Sequence, residues 1–199
     1  MNRKLERGEA TRQELIGAAT RLFAERGYED TSIEAVLRET GVSRGALYHH
    51  FAGKEALFEA VLEQVERDVA QAVVDSVAGV ADPVQALRKG TRAWLELASD
   101  PVVRRISLID APSVVGWEKW RGIDERHGFG LMKHALETLA EAGHVRPELV
   151  DMLAHMLLAA LVEVALLIAR AEDPAAARKT GERAIEELLQ SIVGGATAG

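Results

Sequence analysis

The chain has no cysteine, which excludes disulfides, thiolate metal sites and cysteine nucleophiles and fits a reducing compartment. Only 5% of its residues are aromatic and five are proline. No long alternation of β-branched residues occurs, so nothing reads as a strand, and nearly every window carries helical period instead. An excess of positive charge is also missing: the formal net charge is −7. A broad cationic face for nucleic acid is therefore excluded, and any such contact must rest on locally placed groups. The opening MNRKLERGEATR is polar and lacks the apolar core of a secretory signal, so the expected location is the cytoplasm. What is present is apolar material, 48% of 199 residues, enough for a substantial core in one large or two small domains. The expected class is all-α.

The most informative stretch is Ser32 to Phe51, SIEAVLRETGVSRGALYHHF. Ser32 is a candidate N-cap with Glu34 in the first turn, where the helix dipole favours an acid. Ile33, Val36 and Leu37 fall at i, i+3, i+4 and mark one buried face. Gly41 can take the left-handed conformation of a sharp exit, Val42 returns to the core and Ser43 caps a second, short helix. That helix has Leu47 and Phe51 as its anchors. Its other face, Arg44, Gly45, Ala46, Tyr48, His49 and His50, combines a cation, two very small residues, a phenol and two imidazoles. Small residues allow close approach to bases, and the polar groups suit phosphates or base edges. The spacing is that of a helix-turn-helix, though a plain helical hairpin has the same spacing.

GVSRGALYHHF with Lys54, preceded by RQELIGAATRLFAERGY at Arg12 to Tyr28, resembles the signature of TetR-type transcriptional regulators over the first third of the chain. The resemblance implies an N-terminal three-helix DNA-binding domain at residues 9–69, with the helix-turn-helix at 32–51. A C-terminal helical ligand-binding and dimerisation domain would follow at 70–199, with about nine helices in all. It further implies that Ser32, Ser43, Tyr48, His49, His50 and Lys54 hold phosphates while Arg44, Gly45 and Ala46 face bases. One departure is Leu37, four residues before the turn glycine, where the family usually has alanine. A slightly different helix crossing is expected there.

Charge is distributed unevenly. Residues 1–54 carry nine Lys and Arg against eight Asp and Glu, and residues 55–199 carry fifteen against twenty-three. DNA binding would then rest on Arg3, Lys4, Arg7, Arg12, Arg44 and Lys54, since screening confines each charge to about 10 Å at 0.1 M salt.

Beyond the turn, one helix is expected from Lys54 to about Val80, linking the two domains. Others are expected over Val84–Ser99 and Val102–Ile109, the latter ended by Asp110-Ala111-Pro112 because the residue before proline avoids helical geometry. Along Trp117–Ala142, a stripe of Trp117, Trp120, Asp124, His127, Leu131, His134 and Thr138 keeps a 3-4-3-4 spacing. Gly122, Gly128 and Gly130 interrupt it, which suits a kink, close packing or a movable wall. The helix opened by Pro147 has only His155 and Glu163 as polar residues between Met152 and Ala169. It is long enough for a membrane span, but an acid and an imidazole in its middle and the lack of an aromatic belt favour a dimer core. The last helix, Pro174–Val193, would join it in an intermolecular four-helix bundle, as in the family resembled. A frayed tail follows from residue 194.

These features predict a regulator, not an enzyme, that binds a palindromic double-stranded DNA operator as a homodimer through its last two helices. Neither a cofactor nor a membrane partner is implied. The expected effector is a small, mostly apolar molecule, with Trp94, Ile106, Asp110, Trp117, Trp120, His127, Leu131, His134, His155 and Glu163 as candidate pocket residues, Asp110 or Glu163 meeting a cationic or hydrogen-bonding group. The alternative is a helical metal-binding protein or enzyme using His127, His134, His155 and Glu163. His127 and His134 lie two turns apart, about 10 Å along a helix, which disfavours a shared ion.

Overall fold

The computed structural model describes residues 3–194, with the side chains of 3–5 left undescribed. The Arg3 and Lys4 side chains expected at DNA, and residues 195–199 of the expected frayed tail, fall outside the description, while Gly194 still belongs to α11. The described chain is all helical: α1 (Arg3–Arg26), α2 (Ile33–Thr40), α3 (Arg44–His50), α4 (Lys54–Val77) and α5 (Pro83–Ala98). A composite rod follows, made of α6 (Pro101–Val103), a π-helical stretch (Arg104–Asp110) and α7 (Ala111–Val114). A second composite rod comprises α8 (Trp117–Asp124), another π-helical stretch (Glu125–Phe129) and α9 (Gly130–Glu141). A 3-10 turn (Pro147–Leu149) leads into α10 (Val150–Arg170), and α11 (Pro174–Gly194) completes nine rods among the described residues.

Packing divides the chain into two compact units that do not follow chain order. The first comprises residues 1–65 and 101–120, the second 66–100 and 121–199. The sequence-based division at residue 69 assigned all of 101–120 to the second domain; in the structure that segment packs against α1.

In the first unit α1 buries Leu15, Ile16, Ala18, Ala19, Leu22 and Phe23, and α4 supplies Leu57, Phe58, Val61 and Leu62. The rings of Phe23, Tyr28 and Phe58 meet with centroids 5.1–5.8 Å apart. The chain leaves α1 through Gly27 at φ 83°, where a side chain would also run into the guanidinium of Arg105. The positive φ requires glycine at this position, whereas the Arg105 guanidinium is the end of a flexible side chain that can move aside.

The rod at 101–114 corrects the expectation that Pro112 ends a helix at Ile109. Ala111 is helical, and its N–H reaches back five residues to the Ile106 carbonyl. The wide π turn leaves Pro112 in the first turn of a new α segment, where a missing N–H costs nothing. The glycine-interrupted region also stays helical, with Gly122 in α8, Gly128 in the π stretch and Gly130 at the start of α9. A Cβ on Gly128 would stand 3.0 Å from Leu158 Cδ1, so close packing against α10 accounts for that glycine.

In the second unit, Leu87 and Leu95 of α5, Met132, Leu136 and Leu139 of α9, Leu157 and Leu161 of α10, and Ile185 and Leu189 of α11 form one core. Arg88 and Glu186 tie α5 to α11 at 2.9 Å. The 24-residue stretch Pro147–Arg170 is long and apolar enough to cross a membrane by composition alone, and half of its most apolar window is buried inside this unit.

Candidate functional site

The first candidate surface is built by α2 and α3. Ser32 caps α2, its Oγ accepting from the Ala35 amide at 3.1 Å, and Ser43 caps α3 by accepting from the Ala46 amide at 3.2 Å. Gly41, at φ 71°, closes α2 with its N–H on the Leu37 carbonyl. Leu47 and Phe51 hold α3 to the core, with the Arg12 guanidinium 5.5 Å from the Phe51 ring centroid. Leu37 itself is half-buried. The two serines expected at phosphates are thus already used as caps, although each hydroxyl still carries a proton to donate.

With its inward face fixed, α3 presents Arg44, Gly45, Tyr48 and His49 outward, with Ala46 and His50 half-covered. The two imidazoles lie edge to face, centroids 5.3 Å apart. Nothing lies within 4 Å of the place a Cβ would occupy on Gly45, so no intramolecular packing demands a glycine there. The Arg44 guanidinium donates to Glu34, both side chains being exposed. The amide at the start of α2 and the Arg44 charge together hold the Glu34 carboxyl below its ordinary pKa. This partner was not anticipated: Arg44 lies ten residues away across the turn, and only the fold brings the two together.

Lys54 has a structural part that sequence reasoning missed. Its Nζ donates to the Tyr28 carbonyl at 2.9 Å and stands 4.1 Å from the Tyr28 ring centroid. The Tyr28 amide in turn donates to Asp110 Oδ2 at 2.8 Å, which also accepts from Arg105 Nε at 3.2 Å.

The second candidate site is a cavity of about 450 Å³ within the second unit. Val69, Val73 and Val77 of α4, Leu87 and Trp94 of α5, Leu131 and Met132 of α9, and Leu158 and Leu161 of α10 make most of its wall. Asp124, His127, Leu131, His134 and Thr138 all reach it, so the 3-4-3-4 stripe holds from Asp124 onward. Asp124 is buried, with Oδ2 3.1 Å from Arg121 Nη1. Burial pushes its pKa up to about 6 from 3.8; Arg121 pulls the other way and Glu125 adds to the rise.

Of the residues expected to line one pocket, Trp94, His127, Leu131 and His134 do so. The others do not. Ile106, Asp110, Trp117 and Trp120 belong to the first unit, because the chain turns back onto α1 over 101–120. Asp110 is spent on Tyr28 and Arg105, Ile106 and Trp120 are core, and Trp117 is exposed beside Trp120. His155 stacks on Phe129 with centroids 4.3 Å apart, and both it and Glu163 face outward from α10. Among the described residues, no group of three His, Cys, Asp or Glu side chains is close enough to hold a metal ion.

Comparison with known proteins completes the description. Residues 15–61 match the family described as bacterial regulatory proteins, tetR family, and residues 84–192 match the tetracyclin repressor-like C-terminal domain. A TetR-family transcriptional regulator from Pectobacterium atrosepticum is 33% identical, with a TM-score of 0.84 over 97% of this chain and 98% of that one. The transcriptional repressor AcnR of Corynebacterium glutamicum is 33% identical over 115 residues, 53% of this chain and 60% of that protein. The chain thus spans less than two thirds of that relative's length. RolR, solved with resorcinol as ligand, shares the fold at 19% identity and a TM-score of 0.72, over 95% of each chain.

Proposed function

We propose that this chain, which belongs to the tetR family of bacterial regulatory proteins and is a DNA-binding transcriptional regulator rather than an enzyme, is a cytoplasmic homodimeric repressor. In this reading it recognises a palindromic operator through α3 and is released by a small, mostly apolar ligand. The observation that carries the DNA reading is the outward face of α3. Arg44, Tyr48 and His49 are exposed beside a Gly45 that no internal packing requires. Such a face suits close approach to a groove, with Arg44 leaving Glu34 for a guanine edge and Ser32, Ser43, Tyr48, His49, His50 and Lys54 near the phosphates. Exposed ion pairs contribute little, so exchanging Glu34 for DNA is feasible.

One such helix gives weak specificity, and two related by symmetry give a half-site pair about one helical turn apart or a multiple of it. The surface that supports dimerisation is the outer side of α10. Met152, Met156 and Leu167 are 63, 57 and 60% exposed, with Leu188 of α11 at 38%. Residues 152, 156 and 167 share one helical face with the exposed Glu163 between them, and the apolar groups along that face favour an isologous contact.

The cavity supports the ligand reading, since its size and apolar wall suit a drug-sized molecule. The ligand must bind the state of low DNA affinity better, because equal affinity for both states shifts nothing. Operator and scrambled DNA titrated with wild type and Arg44→Ala test the first half. The variant should lose about 1–3 kcal/mol of discrimination, and equal losses on both DNAs would reject Arg44 as the base reader. Release of the operator by apolar compounds that also stabilise the protein tests the second half.

A further inference from the structure

Asp124 is the buried acid of the cavity, and its surroundings point to a ligand of definite charge. Arg121, its partner, does not line the cavity and is shared with Glu125 at 3.8 Å. Across the space, α4 presents Glu66, and the π stretch and α9 present His127 and His134. From α5 and α10 the wall takes only uncharged groups, and no Lys or Arg lines it. Arg121, outside the lining, is paired with both Asp124 and Glu125, and the carboxylates that line the space are Asp124 and Glu66.

The room beside the carboxylate is also defined. A Cβ on Gly128 would stand 3.9 Å from Asp124 Oδ1 and 3.0 Å from Leu158 Cδ1. The glycine backbone keeps the π turn close against α10 and leaves the flank of Oδ1 unfilled by a side chain. A charge buried in an apolar wall is stabilised by an opposite charge far more than an exposed one is.

We propose that the cavity binds an apolar monocation, with Asp124 as the counter-ion of its ammonium group and the valine, leucine and Trp94 wall enclosing its hydrophobic body. This rests on the ligand reading above and specifies its chemistry. The raised pKa of Asp124 agrees with the geometry, because Arg121 leaves the ionised form incompletely compensated. A bound cation completes that compensation and favours the carboxylate.

The test uses the full-length dimer and three probes of one shape: a phenylbutyl trimethylammonium ion, its neutral carbon isostere with a tert-butyl head, and phenylpentanoate. Isothermal titration should give the cation at least about tenfold tighter binding than the isostere, with the anion weakest. In Asp124→Asn the ratio of cation to isostere should fall to about threefold or less while the isostere binds as before. For wild type, cation affinity should decline as pH falls through about 6, by a total similar to the loss seen in Asp124→Asn. Asp124→Asn keeps Arg121, Glu125, Glu66, His127 and His134, so the difference between the two profiles isolates the Asp124 carboxylate. An isostere or anion that binds as tightly as the cation overturns the counter-ion role and leaves ligand response standing. No binding by any of the three also overturns it, and a parallel screen of operator release by other apolar compounds shows whether ligand response itself fails.

Discussion

Gly45→Ala separates what α3 does for the fold from what it does for DNA. Nothing lies within 4 Å of the added methyl, and Gly45 is one of the glycines without positive φ. The folded chain can therefore accept alanine without strain. Glycine costs a helix interior about 0.8–1 kcal/mol relative to alanine, and the position near the start of α3 lowers the gain to about 0.5–1 kcal/mol. For a chain of this size that is a rise in melting temperature of about 1–4 °C. If the face lies against a groove, the same methyl occupies space that the operator backbone or bases need. Operator affinity should then fall by about tenfold or more, corresponding to about 1.4 kcal/mol. Calorimetry and a DNA titration on one preparation measure both quantities. A stabilised protein with unchanged operator affinity would refute the placement of this face on DNA, and a destabilised one would refute the account of the glycine.

Three further outcomes follow from the same physical arguments. Asp124 has its folded pKa raised from 3.8 to about 6, so its burial favours the protonated form, and stability present below pH 4 is lost as pH rises through 6. Asp124→Asn should therefore stabilise the protein by up to about 3 kcal/mol at pH 7 and by little at pH 4, read from denaturant unfolding across that range. Gly27→Ala forces a φ of 83° on an L-residue, costing about 1–2 kcal/mol, and also clashes with Arg105. A double cycle with Arg105→Ala should recover the clash but not the backbone share. Met156→Glu or Leu167→Glu should convert the proposed dimer to monomer in sedimentation. Each side chain would bury about 1.5–3 kcal/mol of apolar surface and occurs twice in a symmetric interface.

Helix identity and many boundaries were legible in the sequence because they depend on local chemistry: Ser32 and Ser43 as caps, Gly41 as a stop, Pro174 as a start. The stripe from Asp124 to Thr138 was legible for the same reason, since helical period alone puts those residues on one wall. What stayed hidden depends on the chain returning on itself. Asp110 looked like a pocket acid until the 101–120 segment was seen to hold the Tyr28 amide. Trp117 and Trp120 extend the stripe in sequence but lie in the other compact unit. His155 and Glu163 read as interior polar groups in an apolar helix, whereas α10 turns them outward. The π turns were invisible because they add one residue to a turn without changing composition, and they undid the usual meaning of Pro112 as a helix stop.

The central claim, that two copies read a symmetric operator through α3, is tested most directly by selecting bound genomic fragments with the full-length protein and footprinting the tightest one. The account predicts two protected half-sites in inverted repeat, centred one helical turn or a multiple of it apart, occupied by a dimer and lost in Arg44→Ala. Protection without inverted symmetry, or a footprint that Arg44→Ala leaves intact, would contradict it.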